Sequence, residues 1–502
     1  MTSYSAAQPL TRAEISNIRN DQVMFPPAAE SHTGDLLFAV LIGVFSITYL
    51  LYYPASYSIM DESSTLGLSY AIAHGTVYLE HVGLSTGLPI QGHIISLYSP
   101  FHAALFVPAL MTRWRLGFAV AAAFFLLGAF TVRGMLKREG LGSEWAVLYF
   151  LNPGSLYYSQ TLMAAVPAAS MGLLGVSLLM RSDARVVLGG LAFGCAVLLH
   201  PWMGPLVVVF SAVWLLETGS DAIIERTLKL AIGAAPAVVM LAAYNYHVTG
   251  SPVLNAYWLL GHQRNFNGLH FASFAPFYLL SLMIFPLGGL VVLSPRWSKG
   301  WSLPTSSAAV LVLASLYYYR DGINFGELRV LPLLAGTIPG QRFLLPVSFL
   351  ACVPAARYLS GNLGSLNARF YRWTCSAAAA LFIASFWSIS VVHQNYLRAH
   401  AAIQQAVNAD VPTGAQVVIV SSLAANFGGC KELAPVYTVR HCLEAVPASN
   451  DTGQMMPGAY LMWIGLPGTR APGQWFLGLH HRLVTARSWF WKADVWIANP
   501  RI

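Results

Sequence analysis

Charge is what this chain has least of. Of its 502 residues only 10% are Asp, Glu, Lys or Arg, while 56% are hydrophobic. Soluble domains carry about 25% charged residues, so a water-soluble fold of this length is excluded. The common nucleotide and metal signatures are missing too. There is no phosphate-binding loop ending in Gly-Lys-Ser/Thr, no His-Glu-x-x-His, no paired Cys-x-x-Cys and no Asp-x-Asp. The first 33 residues contain no apolar core of the signal-peptide kind, so the first apolar run is expected to stay in the mature protein. The stretch from Pro54 to Thr112 lacks Lys and Arg altogether.

What is present is a series of apolar runs. They are roughly 16 to 20 residues long, enough to cross a hydrocarbon layer near 30 Å. About eleven recur, from Leu36–Tyr53 through Leu116–Val132, Glu144–Gln160, Ala164–Met180, Val186–Leu199, Met203–Leu216, Leu228–Tyr246, Ser273–Leu293, Leu303–Tyr319 and Phe343–Tyr358 to Trp373–Val392. The net charge of +8 suggests nucleic acid in a soluble protein, but here the basic residues sit in short loops and point to topology. Arg12 and Arg19 precede the first span. Arg133 to Arg138, Arg181 and Arg185, Arg226 and Lys229, Arg296 and Lys299, and Arg357 to Arg372 then mark every second loop. The positive-inside rule places these loops and residues 1–33 in the cytoplasm. It places 54–115 and the segment 393–502 outside the cell or plasma membrane that holds 34–392. Tyr98–Met111 is apolar but short; counting it as a span reverses every later loop, so it is read as a helix at the outer surface.

The last 110 or so residues read differently. Asn395–Val407 has the pattern of an amphipathic helix. Gln416–Ser421, Gly458–Ile464 and Pro435–Val439 read as strands, with Gly and Pro between them. The expected fold class is therefore an α-helical polytopic membrane protein with a small C-terminal α/β extracytoplasmic domain. Cys430 and Cys442 are the only cysteines outside the apolar runs, and an oxidising compartment permits a disulfide or leaves two thiols. Asn450-Asp451-Thr452 matches a glycosylation sequon.

The chemistry concentrates after the first span. Asp61 and Glu62 open a loop with His74, Glu80, His81 and His93 but no basic residue. On spacing alone, Asp61 reads equally as the N-cap of the helix that follows. Three arginines, Arg264, Arg329 and Arg342, fall in outer loops. His262 and His270 flank Arg264 among Tyr257, Trp258, Phe266 and Phe271. Such residues also serve as interfacial anchors.

The order of motifs resembles the GT-C superfamily of multi-pass glycosyltransferases, in particular the polyprenyl-phosphate-sugar enzymes such as protein O-mannosyltransferases and aminoarabinose transferases. Asp61-Glu62 with Ala71 matches the acidic pair and helix that open the first outer loop. Tyr98-Ser99-Pro100 approximates a Tyr-Pro-Pro element. Tyr244-Asn245 through Gly250-Ser251-Pro252 and Gly340-Gln341-Arg342-Phe343-Leu344-Leu345-Pro346 match two later elements. The resemblance spans roughly residues 35 to 390. It implies transfer of a sugar from a polyprenyl-phosphate donor to a hydroxyl on a glycan, lipid or protein acceptor, with no nucleic acid involved. Asp61 would be the base, with Glu62 beside it. Arg264, His262, His270, Arg329, Arg342 and Tyr98 would bind substrate. The family's second acidic residue is replaced by the run from Gln160 to Pro167, so no acid or metal ligand is expected there; a divalent cation is the one cofactor the resemblance leaves open. A transporter or flippase of a polar or lipid-linked solute is the alternative. It needs ionisable groups at mid-membrane, where the spans offer mainly His200, followed by the helix-ending Pro201. An O-antigen-ligase-like enzyme is a further reading.

Overall fold

The computed structural model describes residues 32–57, 60–79, 87–90, 92–219, 222–259, 266–317, 341–363 and 368–412, and beyond them 415–421, 441–445, 460–465, 480–487 and 492–498. Among the described residues, five helices are long and apolar enough to cross a membrane: Thr33–Leu51, Trp114–Arg138, Ile223–Thr249, Arg342–Asn362 and Trp373–Asp410. Between them lie shorter apolar helices, among them Ala165–Leu179, Val186–Leu199 and Ser302–Leu316. The predicted polytopic helical class is the class observed.

Contact between helices in a bilayer depends on close packing rather than on hydrophobic transfer. The crossing of Val186–Leu199 with Ile223–Thr249 shows how the sequence achieves it. A Cβ on Gly190 would strike the Leu230 carbonyl, and one on Gly233 would overlap the Val187 carbonyl and the Leu191 amide. Gly190 with Gly194 and Gly233 with Ala237 place small residues four apart on the facing surfaces, so the backbones approach closely.

The predicted span Ser273–Leu293 is interrupted: its helix runs Gly268–Ile284, and a 3-10 turn at Gly289–Leu293 follows Pro286. Two further predicted elements differ. Glu144–Gln160 is no continuous span but a broken one. A 3-10 turn at Ser143–Ala146 leads into Val147–Phe150, and a second helix runs from Pro153 to Tyr158. Asn152-Pro153 makes the break: Pro153 removes an amide donor, and the Asn152 carboxamide accepts the Ser155 amide at 3.0 Å. The segment is buried almost throughout, where irregular backbone is tolerated at membrane depth. The other difference is at the C-terminal end. The last span and the amphipathic helix after it form one helix, Ala368–Asp410, of 43 residues. No Gly or Pro interrupts it, and at 1.5 Å per residue it is about 65 Å long, roughly twice the hydrocarbon thickness.

The connections gather at two ends. At one, Asp35 binds Arg133, Lys137 and Ser143 at 3.0, 2.8 and 2.6 Å. Glu139 binds Lys299 at 2.6 Å and Arg357 at 2.8 Å, and Arg226 meets Asp183 at 2.8 Å. The loops that are rich in Arg and Lys thus share this end. At the other end lies the loop between the first two long helices. It carries the helix Met60–Ala73 and a three-stranded antiparallel sheet of order β1-β3-β2, with β1 Tyr78–Leu79, β2 Gly87–Ile90 and β3 His93–Ser96. Two short helices follow, Pro100–Ala104 and Val107–Leu110, each too short to cross a bilayer.

The C-terminal sheet is mixed, of order β5-β4-β6-β8-β7. Its strands are β4 Gln416–Ser421, β5 His441–Ala445, β6 Tyr460–Gly465, β7 His480–Arg487 and β8 Lys492–Ala498. β4 runs parallel to β5 and β6, and β8 antiparallel to β6 and β7. Ala399, Ile403 and Val407 of the long helix pack against Val417, Met462, Val495 and Ile497. Of the expected strands, Pro435–Val439 lies outside the described residues, as do the pairing of Cys430 with Cys442 and the sequon at Asn450.

Candidate active site

The Met60–Ala73 helix begins one residue before Asp61, so Asp61 stands inside its first turn, where the helix dipole favours a carboxylate. The helix is buried along most of its length; Leu66 and Leu68 are covered, and Ser69 Oγ donates to the Ala103 carbonyl at 2.7 Å. It therefore presents its two acids at a fixed position. They face different partners. Asp61 Oδ2 accepts from Arg342 Nη1 at 2.9 Å, an ion pair with both side chains largely covered. Glu62 is only 1% exposed, and its Oε1 accepts the Leu162 amide at 2.8 Å. Nothing in the loop sequence supplies a cation to Asp61. The cation comes from far along the chain: Arg342 arrives from the start of the Gln341–Leu363 helix.

Arg342 lines a small, partly open cleft together with His200, Trp202, Met203, Phe343 and Ala165. The cleft has an aromatic wall. The Trp202 ring lies 4.9 Å from Phe343, 5.6 Å from Tyr317 and, stacked, 6.3 Å from Phe266. His200 ends the Val186–Leu199 helix and caps the short Pro201–Met203 turn, its Nδ1 accepting the Trp202 amide at 3.2 Å. Burial lowers its pKa to about 4. The Arg342 charge acts in the same direction and Asp61 opposes both. His102, on the helix that follows Tyr98-Ser99, is lowered to about 3, first by burial and then by His200.

The remaining predicted residues distribute as follows. Tyr98 precedes Ser99, whose Oγ caps the Pro100–Ala104 helix and also donates to the Leu198 carbonyl, two residues before His200; the backbone amide of Tyr98 donates to Ser96 Oγ at 3.1 Å. His270 is one turn past Phe266, with its ring 6.1 Å from Phe274 of its own helix. His262, Arg264 and Arg329 fall outside the described residues. The Tyr244–Pro252 element terminates a helix: Gly250, at φ 76, is the left-handed residue past its end. Asn245 Nδ2 reaches the Pro252 carbonyl at 3.3 Å, and His247 meets the Tyr78 hydroxyl of β1 at 3.2 Å. His200 and Trp202 were not predicted as site residues; Pro201 read only as a helix stop. Among the described residues no three His, Cys, Asp or Glu side chains gather as a metal site. The partner of Asp61 is a guanidinium and Glu62 is engaged elsewhere, so the residues present do not fit a divalent cation at this position.

A bundle of spanning helices has thus been assembled with an acidic first loop, a late-span arginine meeting that acid, and a small sheet domain carried on the last helix. That is an ArnT-like membrane fold. Two solved structures share it across nearly the whole chain: ArnT from Cupriavidus metallidurans bound to undecaprenyl phosphate, and the same protein in the apo state. The first aligns with a TM-score of 0.56 at 13% identity, covering 94% of this chain and 100% of that one. The second aligns at 0.54 and 14%, covering 92% and 99%. No protein-family model matches the sequence, and no curated protein does.

Proposed function

We propose that this chain is a glycosyltransferase that moves a sugar from a polyprenyl-phosphate-linked donor to an acceptor hydroxyl on the extracytoplasmic face of the membrane. The observation that carries the reading is the Arg342–Asp61 pair at the edge of the aromatic-walled cleft. Undecaprenyl phosphate in the ArnT structure of the same fold supports the class of donor. Asp61 takes the proton of the acceptor hydroxyl as its oxygen attacks the anomeric carbon. The bond from that carbon to the phosphate oxygen breaks, and its electron pair leaves with the lipid phosphate. Arg342 stabilises the charge that collects there, and a guanidinium has more donors than one carboxylate can occupy. The N-terminus of the Gln341–Leu363 helix adds a dipole favourable to an anion.

Ionisable groups among the described residues cluster at the two ends of the bundle, as in Asp35, Glu139 and Asp61, and this favours an enzyme over a transporter. The test is release of polyprenyl phosphate. Purified protein in lipid nanodiscs is given synthetic polyprenyl-phosphate sugars with an acceptor extract. Acceptor-dependent release of the lipid phosphate is expected; translocation of intact donor across a vesicle without release would refute the reading.

A further inference from the structure

His200 has no place in the reaction as written, yet it lines the same cleft as Arg342. Its Nδ1 is engaged as acceptor by the Trp202 amide at 3.2 Å. A neutral imidazole whose Nδ1 accepts must carry its proton on Nε2. The tautomer is therefore fixed by a backbone amide, and the donor nitrogen is the one left for the cleft. The charged groups around it are Arg342 on the Gln341–Leu363 helix and Asp61 on the Met60–Ala73 helix. His102, on the Pro100–Ala104 helix, is the third titratable neighbour. A second cation beside the Arg342 guanidinium is disfavoured, whereas a neutral N–H donor is not.

Resting on the proposed donor class, we infer that His200 is a neutral hydrogen-bond donor to a phosphoryl oxygen of the lipid-linked donor and works beside Arg342. Its ring is kept uncharged down to about pH 4, by burial first and then by Arg342. A cation and a neutral donor would then share the anion, and the phosphate would be held by orientation as well as by charge.

The two ring nitrogens can be tested separately. The Asn amide oxygen falls where Nδ1 lies, and the Gln amide nitrogen where Nε2 lies. His200→Asn keeps the cap to Trp202 and loses the donor; His200→Gln keeps the donor. Binding of undecaprenyl phosphate to the full-length protein in nanodiscs is measured for wild type, both variants and Arg342→Ala. His200→Asn is expected to weaken binding about tenfold, the scale of one hydrogen bond to a charged group. His200→Gln should recover most of that loss. The ratio of wild-type to His200→Asn affinity should stay level from pH 7.5 to 5.5, since changes in the phosphate itself cancel in the ratio. Wild-type affinity in His200→Asn, with loss in Arg342→Ala, would reduce His200 to a cap and leave the donor reading standing. A ratio that climbs as pH falls through about 6.5, the ordinary imidazole value, would make His200 a cation and overturn the inference. Absence of any binding by wild type would refute the donor reading together with it.

Discussion

Arg342 and Asp61 stand 281 residues apart in the chain and meet at 2.9 Å, Nη1 to Oδ2. One comes from the first turn of the helix after the first span, the other from the start of a late span. Because both side chains are mostly covered, each fixes the other, and the pair sets the acid beside the cleft that Arg342 lines.

Arg342→Ala removes the guanidinium from cleft and acid alike. Affinity for undecaprenyl phosphate should fall about tenfold to a hundredfold, the range for hydrogen bonds made with charged groups. Arg342→Lys should recover part of it, because an ammonium keeps the charge but not the planar fork. Titration of the lipid phosphate against nanodisc-embedded protein measures both; unchanged affinity in the alanine variant would remove Arg342 from the phosphate site.

Glu62 gives a different expectation. Its carboxylate holds the Leu162 amide in a buried position. Glu62→Ala leaves that amide without this acceptor and should lower stability by roughly 1–3 kcal/mol, while Glu62→Gln retains an acceptor oxygen. Thermal unfolding in detergent should therefore separate alanine from glutamine, with sugar transfer by Glu62→Gln within about tenfold of wild type, below the scale of a lost general base. A hundredfold loss in Glu62→Gln with unchanged melting would instead make Glu62 part of the chemistry.

How far the sequence announced all this depends on the range of the interaction. The spans were legible because apolar length is a local property, and Asp61 because it opens a loop empty of Lys and Arg. The break at Asn152-Pro153 was signalled by its dipeptide, but a segment buried on all sides has no amphipathic period to mark where a helix stops. The continuity of Ala368–Asp410 was written in its lack of Gly and Pro, while the change from apolar to amphipathic pattern near His393 suggested a boundary. β8 was missed because Lys492 and Asp494 interrupt its apolar pattern; in the fold Asp494 is covered and accepts Thr485 Oγ1 at 2.6 Å. The Arg342–Asp61 contact and the turn of His200 into the same cleft are tertiary, and no spacing rule reaches across 281 residues.

At the opposite end of the bundle Glu139 joins Lys299 and Arg357. Burial alone would raise its pKa. Arg357 and Lys299 outweigh that, and the net value lies below the ordinary 4.5. A folded-state pKa below the unfolded one gives stabilisation that is fully present above about pH 4.5 and lost as pH falls through the lowered value. Glu139→Gln leaves Arg357, only 5% exposed, without its counter-charge and should cost of order 3 kcal/mol at pH 7. Melting temperature followed from pH 5 down to pH 3 should fall more steeply for wild type than for the variant; parallel curves would show that the cluster contributes nothing to acid sensitivity.

The orientation of the chain is open to labelling. In a variant whose five native cysteines are replaced, a cysteine at Arg181 should react with a membrane-impermeant maleimide only after the cells are opened. A cysteine at Asn450 should react in intact cells, or in cells whose outer membrane alone is permeable. Labelling of Asn450→Cys from the cytoplasmic side only would invert the topology and remove the extracytoplasmic reaction.

The central claim is that Asp61 accepts the acceptor's proton. Asp61→Asn keeps the size of the side chain and an oxygen for Arg342, but it cannot take a proton at neutral pH. Sugar transfer from a synthetic polyprenyl-phosphate donor is measured in nanodiscs, alongside undecaprenyl phosphate binding and melting temperature. Asp61→Asn is expected to fold, to bind the lipid phosphate within a few-fold of wild type, and to transfer sugar at least about a hundredfold more slowly. Transfer at the wild-type rate by a folded Asp61→Asn protein would contradict that claim and place the base elsewhere.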